Sequence, residues 1–282
     1  MLLASASAAL FGAMSVAVRF ALRSSGDAAL GSLAMSSIAL AVTSGAAVVA
    51  GSGLGSAWPF LAAGVLAPGA SQIFFVRAVN DAGAARTSVL MGTAPLVAVA
   101  IALTVLREPV RAALLTGAAL IVAGGIALAN ERVRPEDFRR LGVLFAVATT
   151  VLFAVRDNVL RAIAKGSDAD PLVAAAVSLL AGVATVALYL LVTRRRDWAR
   201  GYGRGVRAFA PAGLFFGLSY ALLFEAYYRG GVSVVAPIVA TESLWGVGFA
   251  ALLLRRSELV GRRLVVGALL IVAGGVLIGV SR

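Results

Sequence analysis

The chain has 282 residues, of which 61% are hydrophobic and 13% charged, with a mean hydropathy of +0.97. A soluble domain is about half apolar and a quarter charged, so this much apolar surface needs lipid as part of its solvent. With no histidine and no cysteine, disulfides, Cys/His zinc sites, imidazole switches and His-assisted nucleophiles are excluded, and the net charge of +12 falls in short arginine-rich breaks that suit lipid headgroups better than nucleic acid.

Ten stretches are long and apolar enough to cross a hydrocarbon core of ~30 Å as helices. They cover about 2–22, 28–50, 57–79, 83–106, 112–129, 141–163, 171–193, 208–228, 232–254 and 264–281. Their continuous Ala/Leu/Gly-rich character lacks the two-residue alternation of a membrane barrel. The first follows Met1 directly, without the charged start and cleavage site of a secretory signal, and is expected to be a retained helix. The expected fold class is an all-α integral membrane protein.

The chain repeats itself. Gly117-Ala-Ala-Leu-Ile-Val-Ala-Gly-Gly125 returns as Gly267-Ala-Leu-Leu-Ile-Val-Ala-Gly-Gly275, an offset of 150 (267 − 117). Leu10-Phe11-Gly12 and Arg19 match Leu152-Phe153-Ala154 and Arg161. Gly69, Ser71, Ala78 and Gly83 match Gly217, Ser219, Ala226 and Gly231, and Thr93 and Leu96 match Thr241 and Leu244. The expected units are residues 1–130 and 141–282, joined by a loop at 131–140. Five spans per half is an odd number, so the second half enters the membrane the other way up and the repeat is inverted.

Charge inside a bilayer costs ~2.5–3.5 kcal/mol per group at its centre and usually faces a cavity. Arg19, Arg77, Arg86, Arg156, Asp157, Arg161, Glu225 and Glu242 lie in or at the ends of spans one, three, four, six, eight and nine; the other four spans carry none. Glu242 is the deepest acid, set among Thr241, Ser243 and Trp245, with Trp245 three residues on and sharing its helix face. It reads as a protonatable or substrate-facing acid, or as a structural acid tied to an arginine of a neighbouring helix. Asp157 and Arg161, four apart, are expected to neutralise each other as an internal pair. Arg156, about 100° away, is then left for Glu242 or an anionic substrate group. Arg19, Arg77 and Arg86 read as interface anchors near helix ends, and Glu225 with Tyr228 as a candidate gate.

The whole arrangement resembles the drug/metabolite transporter superfamily, EamA type. The resemblance rests on the repeated fifth and tenth spans, the five-plus-five organisation, Pro95 in span four, and the acids Glu108 and Glu258 that close spans four and nine. At the place of Pro95 the second half has Ser243, with Pro237 nearly two turns earlier, so any helix break there is expected to be displaced. The resemblance implies a central cavity lined by the six charge-bearing spans, and a gating role for Glu108 and Glu258, which on their own read as solvated loop charges. It also implies export of amino acids or related small metabolites by alternating access; the residues themselves give no expectation of a cofactor or metal. Proton coupling through Glu242, an uncoupled facilitator and a non-transporting scaffold or partner subunit all stay open. So does the choice between monomer and homo-oligomer.

No enzyme reading finds its residues. Gly51-Ser-Gly-Leu-Gly lies between apolar helices without a strand or a Walker lysine, and no carboxylate cluster has metal-ligand spacing. Arginine in place of lysine, with heavy Ala, Gly and Val use, fits a GC-rich bacterium and hence the bacterial cell (inner) membrane. The breaks at 132–140, 194–207 and 255–263 carry four, six and four arginines. The positive-inside rule makes that side cytoplasmic and puts both termini outside; the family resemblance implies the reverse, and orientation is left open.

Overall fold

The computed structural model describes residues 1–25, 27–53, 55–97, 100, 112–131, 138–194, 198–254 and 259–280. The described residues form helices and turns with no strand. The helices are α1 (Leu2–Ser25), α2 (Ala28–Val49), α3 (Phe60–Ala82), α4 (Ala84–Met91), α5 (Ala112–Ala129), α6 (Arg140–Ala164), α7 (Pro171–Arg194), α8 (Trp198–Arg229), α9 (Val232–Val239, Glu242–Phe249 and Ala250–Leu254 in succession) and α10 (Arg262–Val280). Eight of these segments are long and apolar enough to cross a membrane, and α5 contributes a shorter apolar helix over Leu115–Ala129. Many large side chains on their outer faces are exposed, among them Leu188, Val192, Leu252 and Leu269. Such a surface suits hydrocarbon rather than water.

The helix starts are set locally. Asp27 caps α2, its Oδ1 accepting from the amides of Ala29 and Leu30 at 3.0 and 3.1 Å. Asp170 does the same before α7, accepting from Leu172 N at 2.9 Å. Helix α8 begins ten residues earlier than the apolar run that marks it. Its first turns, Trp198 to Arg207, are basic and glycine-rich, and they carry the helix beyond the apolar segment.

Three helices are interrupted. In α3 the backbone leaves the helical region at Ala67 (φ −148°, ψ 118°) just before Pro68, which has no amide hydrogen to donate. Turns at Gly92-Thr93 and Ala240-Thr241 interrupt the other two. At each, the threonine hydroxyl donates to the carbonyl three residues back, Thr93 to Leu90 and Thr241 to Ile238, both at 2.6 Å. The break in the second half is therefore not displaced. It sits at the residue matching Thr93, because the hydroxyl, not the proline, occupies the turn.

Helix α5 packs along α10, α1 along α8, α3 along α6, and α2 against both α7 and α8. The α5–α10 contact is made backbone to backbone. A Cβ on Gly117 would lie 2.7 Å from the carbonyl of Gly274, and one on Gly124 would lie 2.7 Å from that of Gly267. The pairings run in opposite senses along the chain, so the two helices are antiparallel. Glycine there permits the close approach that substitutes for a hydrophobic drive in lipid.

The breaks sort by contact into two groups. Arg139 N donates to the carbonyl of Asp81, and Arg263 donates to that of Asn130. The buried Glu131 accepts from Leu264 N at 3.1 Å, capping α10. These contacts join breaks three, five and nine. Ser56 and Asp168, with Ser167, join breaks two and six.

Candidate functional site

A buried polar cluster forms where α3, α6, α8 and α9 meet. Arg156 on α6 is 2% exposed and carries the cluster's positive charge. Its Nε lies 2.9 Å from Asp157 Oδ1, and its NH1 donates to the Tyr220 hydroxyl on α8 at 2.5 Å. The Tyr220 hydroxyl in turn donates to the carbonyl of Ala67 at 2.8 Å. That carbonyl is available because the non-helical backbone at Ala67 turns it out of the α3 ladder. The guanidinium carbon is 5.1 Å from the ring centres of both Phe153 and Tyr220, so aromatic faces cover the charge where water would otherwise do so.

Glu242 begins the second stretch of α9 and is 6% exposed. Its carboxyl is within electrostatic range of Asp157 and Arg156, as is the buried Tyr227. The α9 break puts Glu242 in the first turn of a new helix, where the backbone amides favour an acid. Arg156 thus has one carboxylate and one phenol in contact, with Glu242 and Tyr227 in electrostatic range. Such a set can bind a small solute bearing both charge signs, or pass one proton among its acids.

Arg156 and Glu242 are both buried and lie within electrostatic range of each other, while three expected pairings differ. Asp157 contacts Arg156, its chain neighbour, rather than Arg161. Arg161 instead donates to the carbonyls of Tyr227 and Tyr228 at 2.7 and 3.5 Å, at the end of α8. Trp245 is 44% exposed and stacks on Phe249, turning away from the buried Glu242. Thr241 is half-buried, and its hydroxyl is taken up by the helix break.

The expected interface anchors are also inside. Arg19 is 4% exposed and donates to Asn80 and Val79 carbonyls at 2.8 and 3.5 Å; Arg86 is 3% exposed and faces the Phe138 ring at 5.9 Å. Half-buried Arg77 donates to the Tyr189 hydroxyl at 2.8 Å, a helix–helix contact in place of snorkelling. Glu225 is held by Arg229 one turn on, with Nε–Oε2 at 2.8 Å, and Tyr228 stacks on Phe60. Glu108 and Glu258 lie outside the described residues. Tyr220, Tyr227 and Glu131 were missed in the sequence; a hydroxyl-bearing aromatic in an apolar span opposite a buried arginine is the signal for the two tyrosines.

The family model of the EamA-like transporter family matches residues 1–130 and 140–280. The chain belongs to that family, and with it to the drug/metabolite transporter superfamily. It is a multi-pass membrane protein of a transporter family, not of an enzyme family. No curated protein matches the sequence. One solved crystal structure aligns with a TM-score of 0.65 at 21% identity, covering 98% of this chain and 94% of its own, a likeness of fold.

Proposed function

We propose that the protein is a secondary transporter of the bacterial cell membrane, moving amino acids or related small metabolites outward by alternating access. The Glu242–Arg156–Asp157 cluster is its substrate and proton site. The observation that carries this reading is the burial of Arg156 and Glu242, from two different helices, among phenols at a pair of helix breaks. A scaffold has no need of charges placed at such cost. Arg156 would take the carboxylate of the solute; Glu242 would take its amine or a proton.

The frame for this movement is an inverted five-plus-five repeat of ten spans, with residues 1–130 and 141–282 as its halves. Reciprocity supports it. Gly117 faces Gly274 and Gly124 faces Gly267, and adding the offset of 150 to one member of each pair gives the other pair's partner (117 + 150 = 267; 124 + 150 = 274). A two-fold axis between antiparallel helices produces that pattern. The other contacts exchange in the same way: α1 on α8 corresponds to α6 on α3, and α2 on α8 to α7 on α3.

The test uses the absence of native cysteine. A single cysteine at Thr241, in the α9 break, is expected to react with a membrane-impermeant maleimide added from either side of sealed vesicles, in separate populations. Reaction from neither side, in folded protein, would favour a scaffold; reaction from one side only would remove alternating access.

A further inference from the structure

An apolar groove of about 710 Å³ runs down the outside of the molecule between α1, α8 and α9. Ala9, Ala13 and Ala17 stand four apart on one face of α1 and form a trough of small side chains, walled by Pro211, Phe215 and Leu253. From Ala9 to Ser24 the trough is roughly 22 Å long at 1.5 Å per residue. That exceeds the depth of one leaflet, about half of the ~30 Å core.

The groove does not end at an apolar wall. A second cavity, of about 510 Å³, begins at the same Ser24 and Ala208 and is lined by Asp27, Arg204 and Arg207. Arg204 and Arg207 are three apart on the first turns of α8, share a face, and are exposed. No described carboxylate forms an ion pair with either. Asp27 has its Oδ1 on the amides of Ala29 and Leu30, so the pocket presents two guanidinium groups against one capping acid. The basic extension of α8 beyond its apolar run places these charges where headgroups lie.

We propose that this continuous groove and pocket bind one anionic phospholipid. Its phosphate sits between Arg204 and Arg207, and one acyl chain lies along Ala17, Ala13 and Ala9. A zwitterionic lipid fits less well, since its cationic end would meet the same two arginines. The occupied groove touches α9 at Leu253, on the helix that carries Glu242, so the lipid forms part of the wall of the moving unit.

The test is native mass spectrometry of the full chain, purified in detergent and offered equal amounts of phosphatidylglycerol and phosphatidylcholine. Wild type is expected to retain phosphatidylglycerol preferentially. The Arg204→Ala/Arg207→Ala double variant is expected to retain it roughly thirtyfold less well, at ~1 kcal/mol for each arginine. Ala13→Phe is expected to lose both lipids by filling the trough; if it does not give monodisperse protein, Ala17→Leu narrows the same trough with less added volume. In a parallel thermal melt, phosphatidylglycerol should raise the midpoint and inorganic phosphate should not. Equal retention of the two lipids by wild type, undiminished retention by the double arginine variant, or stabilisation by phosphate alone would each overturn the proposal.

Discussion

Arg19 and Arg161 stand 142 positions apart (161 − 19) and hold corresponding carbonyls: Arg19 those of Val79 and Asn80 at the end of α3, Arg161 those of Tyr227 and Tyr228 at the end of α8. The acceptors are 148 apart (227 − 79 and 228 − 80), the same offset that relates Thr93 to Thr241. Each guanidinium supplies donors near a helix C-terminus, where carbonyls lose their next-turn amides; the Val79 carbonyl also accepts from Gly83 N at 3.1 Å. In each case the first helix of a half is tied to the third. Arg161→Ala and Arg19→Ala are expected to cost about 1.5–3 kcal/mol each, the range for a hydrogen bond to a charged group. The lysine variants should recover part of the loss. Thermal unfolding in detergent checks this, and a loss confined to one of the two sites would contradict their equivalence.

The glycines of α5 and α10 separate by environment. Gly124→Ala brings a methyl onto the Gly267 carbonyl and the Ile271 side chain, while Gly125 has open space beside it. Overpacking of that kind costs ~1–3 kcal/mol, whereas Gly125→Ala gains up to ~1 kcal/mol of helix propensity. Melting midpoints moving in opposite directions are expected. Equal midpoints would mean that the α5–α10 contact is looser than the Gly117–Gly274 and Gly124–Gly267 approaches indicate.

Tyr220→Phe keeps the ring over Arg156 and removes only the hydroxyl that bridges Arg156 to the Ala67 carbonyl. A buried group left without its partner costs ~1–3 kcal/mol. The expected result is a folded protein with a lower melting midpoint and slower solute flux, because the bridge joins α6, α8 and the α3 kink. Unchanged flux would take Tyr220 out of the site.

Much of the fold was legible in the sequence, since apolar runs of about 20 residues have few fates other than spanning a bilayer. The start of α8 was not, because Trp198 to Arg207 has the composition of a loop and is helical through its continuation into the span. The burial of charge was legible; the choice of partner was not. Helical spacing favours Asp157 with Arg161, but it says nothing of carbonyls on another helix, and those take Arg161. Glu131 capping α10 is a contact across 133 positions, for which local sequence carries no mark. The break in α9 was misplaced because proline was given more weight than the threonine that turned out to be matched.

The ion pair offers a way to separate structure from transport. Asp157→Ala alone removes the carboxylate in contact with the buried Arg156 and is expected to cost ~3–5 kcal/mol. Replacing both, as Arg156→Met/Asp157→Leu, should regain most of that stability yet leave transport absent. A double variant that folds and transports would show the pair to be structural only.

The decisive measurement is solute flux in liposomes containing purified protein, with radiolabelled amino acids and small metabolites, with and without a pH gradient, for wild type and Glu242→Gln. Accumulation that follows the gradient in wild type and vanishes in Glu242→Gln, with both proteins folded and equally incorporated, is the expected result. Full gradient-driven flux in Glu242→Gln would remove that acid from the mechanism. Flux indifferent to the gradient in both would make the protein a facilitator and contradict proton coupling.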